Sequence, residues 1–263
     1  MTTLALQREA NRRAISAEWA RIGGGFTVEP ARAAVDVEDL LVRSAVQAPA
    51  DARLFAVAAT WLSIHHHLVD MRRLGRMLEA LEGMSSAAAG AMLSVANEEA
   101  RSARLAAAER HCRPLAEPRV FFEQTAASPV LSTFARDNAL PVFARWGLWH
   151  DELSLKPDAV RPVGWILEHC PELRIRALLG AGLDGEIVEA LRARPRSIAE
   201  LAREAGTTYA ATHEATARLV ARGLVEHRRE TGRTEMGIPA AVASWLDAFP
   251  DPSPSRAART RVG

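Results

Sequence analysis

The chain is short of the features that most readily mark an enzyme, a secreted scaffold or a membrane protein. Its two cysteines, Cys112 and Cys170, stand far apart and form no CxxC pair. That excludes a disulfide framework and a cysteine zinc site, and suits reduced thiols in a cytosol. Lysine is almost missing: Lys156 is the only one, so positive charge is carried by arginine, whose planar fork suits phosphate. Neither sign of charge dominates. The formal net charge is +1, so any affinity for nucleic acid has to come from a local patch. The longest apolar run, Leu54 to Ile64, is too short to cross a bilayer. The N-terminal stretch MTTLALQREANRRA lacks the apolar core of a signal peptide. The expectation is a soluble, cytoplasmic protein with no membrane partner. A nucleophile elbow, a zinc-protease helix and a glycine-rich nucleotide fingerprint are also missing, so no enzyme, no cofactor and no metal site is expected.

What is present is ordinary globular material. The 263 residues are 48% hydrophobic and 25% charged, enough for one large or two ordinary domains, each with a core. The expected class is mainly α: an N-terminal helical, bundle-like domain over 1–180, a C-terminal winged helix with a small β-hairpin wing over 181–250, and a disordered tail over 251–263.

Helical spacing dominates the first part. Residues 4–22 predict a helix with Leu4, Ile15, Trp19 and Ile22 buried, ended by Gly23, Gly24 and Gly25. That triple glycine has no Lys-Ser/Thr after it and reads as a loop rather than a phosphate cradle. Asp36 caps a helix that Pro49 closes. The apolar pattern from Asp51 to Leu81 predicts two helices folded on each other near His65 to Asp70, with Gly83 stopping the second. Ser85 or Ser86 then opens an alanine-rich helix to about His111. Residues 117–160 are cut by Pro118, Pro129, Pro141 and Pro157 and carry Phe121, Phe122, Leu131, Phe134, Phe143, Trp146, Leu148 and Trp149. These most simply fill the seam between neighbouring helices, the functional alternative being an aromatic-lined ligand pocket. Two helices over 163–169 and 172–179 lead on to the last part, the second as its connector.

The most informative stretch is RSIAELAREAGTTYAATHEATARLVARGLVEHRRETGRTEMGIP, residues 196–239. Leu183, Ile187 and Leu191 mark a helix ended by Arg194-Pro195. Ser197 and Glu200 have the spacing of a capping box. Gly206 supplies a turn, Thr207 or Thr208 caps a third helix, and Gly223 ends it. Two strands follow, joined at Glu230-Thr-Gly232. A short amphipathic helix, Ala240 to Phe249, closes the region.

On Ala199-Glu-Leu-Ala202, Gly206, Leu219 and Arg222-Gly-Leu-Val225, followed by an arginine-rich wing, the region 183–240 resembles winged-helix regulators of the MarR and ArsR type. The resemblance implies a transcriptional regulator that binds double-stranded DNA as a homodimer, with the third helix in the major groove. Its exposed face would be Thr208, Tyr209, Ala210, His213, Glu214, Ala217 and Arg218. His227, Arg228, Arg229 and Arg233 would lie on the wing, near phosphates. The helical domain would dimerise, sense a ligand or bind a protein partner.

Two other readings compete. One is a protein-interaction component, antitoxin-like or from a phage-defence system, whose winged helix is an adaptor. The weaker one is a helical ribonuclease of the HEPN type using Arg104 and His111. His66 and Asp70 have two-ligand spacing on a helix but no third ligand, so the run His65-His66-His67 does not predict a metal site.

Overall fold

The computed structural model describes residues 3–153, 155–230 and 233–246, and their side chains except those of 3–7, 229, 230 and 233. The architecture is mainly helical, with a small antiparallel hairpin near the C-terminus. Two compact units divide between Cys170 and Pro171, earlier than residue 180. Ile175 belongs to the core of the second unit, so the expected connector is part of it.

The first unit begins with α1 (Thr3–Arg21), in which Ile15 and Trp19 are buried; Ile22, just beyond its end, is buried too. The glycines that follow have a packing reason. Gly24 bridges Val160, and the Arg161 N–H donates to the Gly23 carbonyl at 2.8 Å. A Cβ at Gly25 would lie 2.4 Å from the Ala159 oxygen. The run is a seam where two backbones meet closely.

Three aspartates then start three helices. Asp36 caps α2 (Val37–Gln47), Asp51 caps α3 (Ala52–His65) and Asp70 caps α4 (Met71–Glu79), each accepting from a backbone N–H two or three residues on. The pattern from Asp51 to Leu81 is thus two helices, separated by a 3-10 turn at His66–Leu68. Trp19 and Trp61 meet edge to face at 5.8 Å, an arrangement worth about 1 kcal/mol beyond burial alone. Both indole N–H groups are satisfied, Trp19 by the Ser44 hydroxyl and Trp61 by the Ile22 carbonyl, each at 2.9 Å.

The next helices differ from expectation at both ends. Gly83 does not stop α4, which has already ended at Glu79; it opens α5 (Gly83–Ala100). The alanine-rich helix does not reach His111. It breaks where Arg101 turns left-handed at φ 46°, and the Asn97 side chain accepts from the Ser102 N–H at 2.8 Å. The remainder is a separate short α6 (Ala103–Glu109). Small residues let α5 run through the centre of the unit: Ala87, Ala88, Ala89, Gly90 and Ala91 are all buried.

The proline-cut region forms β1 (Arg119–Val120), α7 (Glu123–Ala126), α8 (Pro129–Asp137), α9 (Pro141–Ala144) and β2 (Leu148–Trp149), with β1 parallel to β2. Phe121, Phe122 and Phe143 gather around Phe55 and His150 as a packed cluster rather than a pocket wall. Leu131 and Phe134 do not join it. They are exposed on α8 beside Val130, because the buried side of that helix is taken by Ala135. A shallow surface depression of about 520 Å³ lies over Val130 and Phe134. The unit ends with α10 (Val163–His169).

The second unit comprises α11 (Arg174–Leu179), α12 (Leu183–Ala193), α13 (Ile198–Glu204), α14 (Tyr209–Ala221), the hairpin β3 (Glu226–Glu230) and β4 (Arg233–Gly237), and α15 (Ala240–Leu246). Its core is Ile175, Ile187, Val188, Leu191, Leu201, Ala215, Leu219, Val225, Met236, Ile238 and Leu246. Trp245 on the last helix is 49% exposed, while Phe249, residues 231 and 232 and the tail 251–263 lie outside the described residues. Among the described residues, no helix is long and apolar enough to cross a membrane.

Candidate nucleic-acid interface

Local chemistry fixes each step of the helix-turn-helix. The Ser197 N–H donates to the Glu200 carboxylate at 2.9 Å, and the Glu200 N–H donates to the Ser197 hydroxyl at 3.3 Å, completing the capping box of α13. The Ser197 backbone and hydroxyl donors hold the Glu200 carboxyl below its ordinary pKa. Gly206 takes the left-handed conformation at φ 58°, and the Thr207 N–H closes the turn on the Ala202 carbonyl at 2.9 Å. Thr208 caps α14 by accepting from the Ala211 N–H at 3.2 Å. Gly223, at φ 71°, ends that helix and sends the chain into the wing.

α14 is two-sided. Thr212, Ala215, Thr216 and Leu219 are buried, and the two threonine hydroxyls donate to carbonyls one turn back, so neither is left unsatisfied. The opposite side carries the expected reading face. Thr208, Tyr209, Ala210, His213, Glu214, Ala217 and Arg218 are all exposed. Tyr209 and His213, one turn apart, lie with ring planes 24° apart and centroids 6.2 Å apart.

The wing is a two-stranded antiparallel hairpin in the register Arg228↔Glu235 and Arg229↔Thr234. A single bridge, Arg196↔Met236, adds the chain before α13 to its edge through hydrogen bonds of 3.0 and 2.8 Å. His227 is exposed on β3. Arg228 differs from the expectation of a phosphate-facing cation. Its guanidinium crosses Gly237 and donates to the Ile238 carbonyl at 2.6 Å and to Glu226 at 2.9 Å, so it braces the wing. The side chains of Arg229 and Arg233 lie outside those described.

Residues 185–229 match the IclR helix-turn-helix domain. This IclR-type match spans most of α12, all of α13 and α14 and most of β3 and gives the region as a winged helix-turn-helix, of a family other than MarR or ArsR. The motif residues that suggested those families are core and turn positions, Leu201, Ala202, Gly206 and Leu219, which the fold itself demands; they do not separate one winged-helix family from another. Comparisons of the whole chain with curated proteins and with solved structures give no match.

Charge in and around the IclR-type region is balanced. Residues 183–238 hold nine arginines and nine acidic residues. Several are paired: Arg218 with Asp184 at 2.8 Å, Arg222 with Asp184 at 3.7 Å, Arg194 with Glu200 at 3.6 Å, and Arg196 with Glu204. Asp184 and Arg222 were not anticipated as parts of the face. Asp184 reads in the sequence as an ordinary first-turn acid, and its partners stand more than thirty residues away.

The other candidate constellations come apart. Arg104 on α6 donates to the Val69 carbonyl at 2.9 Å, whereas His111, beyond that helix, bonds Glu79 at 2.8 Å. The two face different partners, as a shared ribonuclease site would not. His66 lies in the 3-10 turn and Asp70 caps α4, so they do not share a helix face. No group of three His, Cys, Asp or Glu side chains among the described residues is arranged to hold a metal. Burial pushes the Cys112 thiol up to about 12, and the Cys170 thiol donates to the Arg21 carbonyl at 3.0 Å.

Proposed function

We propose that the protein is a DNA-binding transcriptional regulator, acting as a homodimer and carrying no catalytic activity. The observation that carries this reading is the IclR-type helix-turn-helix whose third helix, α14, presents an uncovered polar face of Thr208, Tyr209, Ala210, His213, Glu214 and Arg218. In this reading α14 enters the major groove. Tyr209 and His213 read base edges, and Arg229, Arg233 and His227 on the wing approach the backbone. Two copies would place two such helices on successive half-sites. The helical unit ahead of it would serve as the dimerising, ligand-sensing or partner-binding part.

One observation favours a second reading. The balance of nine arginines and nine acids makes the winged helix neutral, which suits an adaptor for protein contacts better than a strong non-specific DNA binder. Fluorescence anisotropy with duplexes from the upstream region of its own gene separates the two. The regulator binds a specific duplex with an affinity that falls as salt rises, and Tyr209→Ala with His213→Ala flattens the preference between duplexes. No binding at low salt sinks the DNA reading and leaves the adaptor.

A further inference from the structure

The DNA-binding reading gains a specific control point in Asp184. Arg218 and Arg222, one turn apart near the C-terminal end of α14, both turn toward the Asp184 carboxylate in the first turn of α12. Arg218 reaches one carboxylate oxygen at 2.8 Å and Arg222 the other at 3.7 Å. Glu214, a turn before Arg218, closes the ridge at 3.9 Å. Two guanidiniums and two carboxylates leave this ridge with no net charge. Asp184 is only 15% exposed, yet Arg218 and Arg222 remain 48% and 56% exposed. The cations are therefore at the surface while their charge is directed inward.

We propose that Asp184 withholds Arg218 and Arg222 from DNA phosphates and so sets the affinity of the winged helix. This rests on the DNA-binding reading. A guanidinium that neutralises a phosphate releases condensed counterions, and one held by a carboxylate does not. The ridge flanks the half of α14 that carries Tyr209 and His213, so base reading there would proceed with little non-specific attraction behind it. Sequence preference is then not swamped by backbone affinity, because Arg218 and the capping Arg222 already face a carboxylate.

The test compares the full-length protein with Asp184→Asn, in which the acceptor charge is lost and the side-chain size kept. Binding of a labelled duplex is followed by anisotropy between low and moderate salt. The expected result is about ten-fold tighter binding at low salt, with the slope of log K against log salt steeper by about one to two. Adding Arg218→Ala and Arg222→Ala to Asp184→Asn abolishes the gain. A circular-dichroism melt checks that the variant folds. Glu214→Gln, at a position 79% exposed, gives an independent arm and shifts affinity in the same direction by a smaller factor. Asp184→Asn binding that is unchanged or weaker, at unchanged slope, overturns the proposal and makes Asp184 a residue that positions the arginines for contact. If Asp184→Asn does not fold, unchanged affinity and slope in Glu214→Gln overturns it. If neither wild type nor variant binds any duplex at low salt, the regulator reading fails, and the proposal with it.

Discussion

The Glu38 carboxylate has no solvent exposure and holds the Arg73 guanidinium at 2.5 Å, tying the first turn of α2 to α4. Arg73 also forks onto Asp36 through two contacts of 2.6 Å, and Glu38 accepts the Asp70 N–H at 2.8 Å. Burial alone would lower the Arg73 pKa, but the two carboxylates raise it above its ordinary value. A pair this deep is costly to halve, because the remaining charge keeps its desolvation penalty and loses its partner. Arg73→Ala is expected to cost about 3–5 kcal/mol in urea denaturation followed by tryptophan fluorescence. Arg73→Lys should recover only part, lacking the bidentate fork. A loss under about 1 kcal/mol for Arg73→Ala would show the pair to be energetically idle.

His65 gives the first unit a defined response to acid. Its Nε2 lies 2.9 Å from the Arg161 carbonyl, which assigns the proton of the neutral ring to Nε2 and leaves the buried Nδ1 without a hydrogen-bond partner. Burial, offset in part by that bond, lowers its pKa from 6.5 to about 4. Between those values the unfolded chain binds the proton and the folded chain does not, so stability is lost as pH falls through that window. The loss for this one group approaches about 3 kcal/mol. His66, His67 and His150 are lowered in the same direction, each mainly by burial. His65→Gln, which does not titrate, should show a visibly shallower fall in unfolding free energy from pH 7 to 4.5. Parallel curves for variant and wild type would remove His65 from this role.

Gly90 sets local propensity against packing. Alanine there would gain about 1 kcal/mol in helix propensity. Its Cβ, however, would lie 2.5 Å from the Trp146 ring, and that ring is held in place by its N–H bond to Ser94 at 2.8 Å. Overpacking costs about 1–3 kcal/mol, so Gly90→Ala should destabilise despite the better helix former. Restored stability on combining it with Trp146→Leu would locate the cause in the ring. A melting temperature that rises in the single variant contradicts the packing argument.

Arg228 should behave as a brace and Arg229 as a contributor to the salt dependence of DNA binding. Removing the Arg228 guanidinium leaves the Ile238 carbonyl without its 2.6 Å donor, a loss of about 1–2 kcal/mol confined to the wing. Hydrogen exchange of the β3 and β4 amides should speed up in Arg228→Ala while the salt slope of DNA binding stays put. Arg229→Ala should do the reverse, lowering the slope by about one. The opposite assignment of the two effects would return Arg228 to the phosphate-facing role.

Short-range chemistry was legible in the chain. The caps Asp36, Ser197 and Thr208, the turn glycines Gly206 and Gly223, and the hairpin order of the wing each follow from a few adjacent residues, because the groups that satisfy one another are three or four positions apart. Elements whose boundaries depend on distant packing were not. Arg101 turns left-handed in a stretch of good helix formers, and the ring of Trp146 demands a glycine fifty-six positions earlier. Leu131 and Phe134 carry the composition of a core and lie at the surface.

The sequence by itself determined that a winged helix exists here and which side of α14 is buried, since helical periodicity and capping are local properties of the chain. Tertiary structure decided what the charges do. Asp184 faces Arg218 and Arg222, and Arg228 turns back onto Ile238, because α12 and the hairpin bring together groups that the chain keeps apart. An arginine is equally cationic in every sequence reading. Whether it is available to a phosphate depends on the acceptor that folding places beside it.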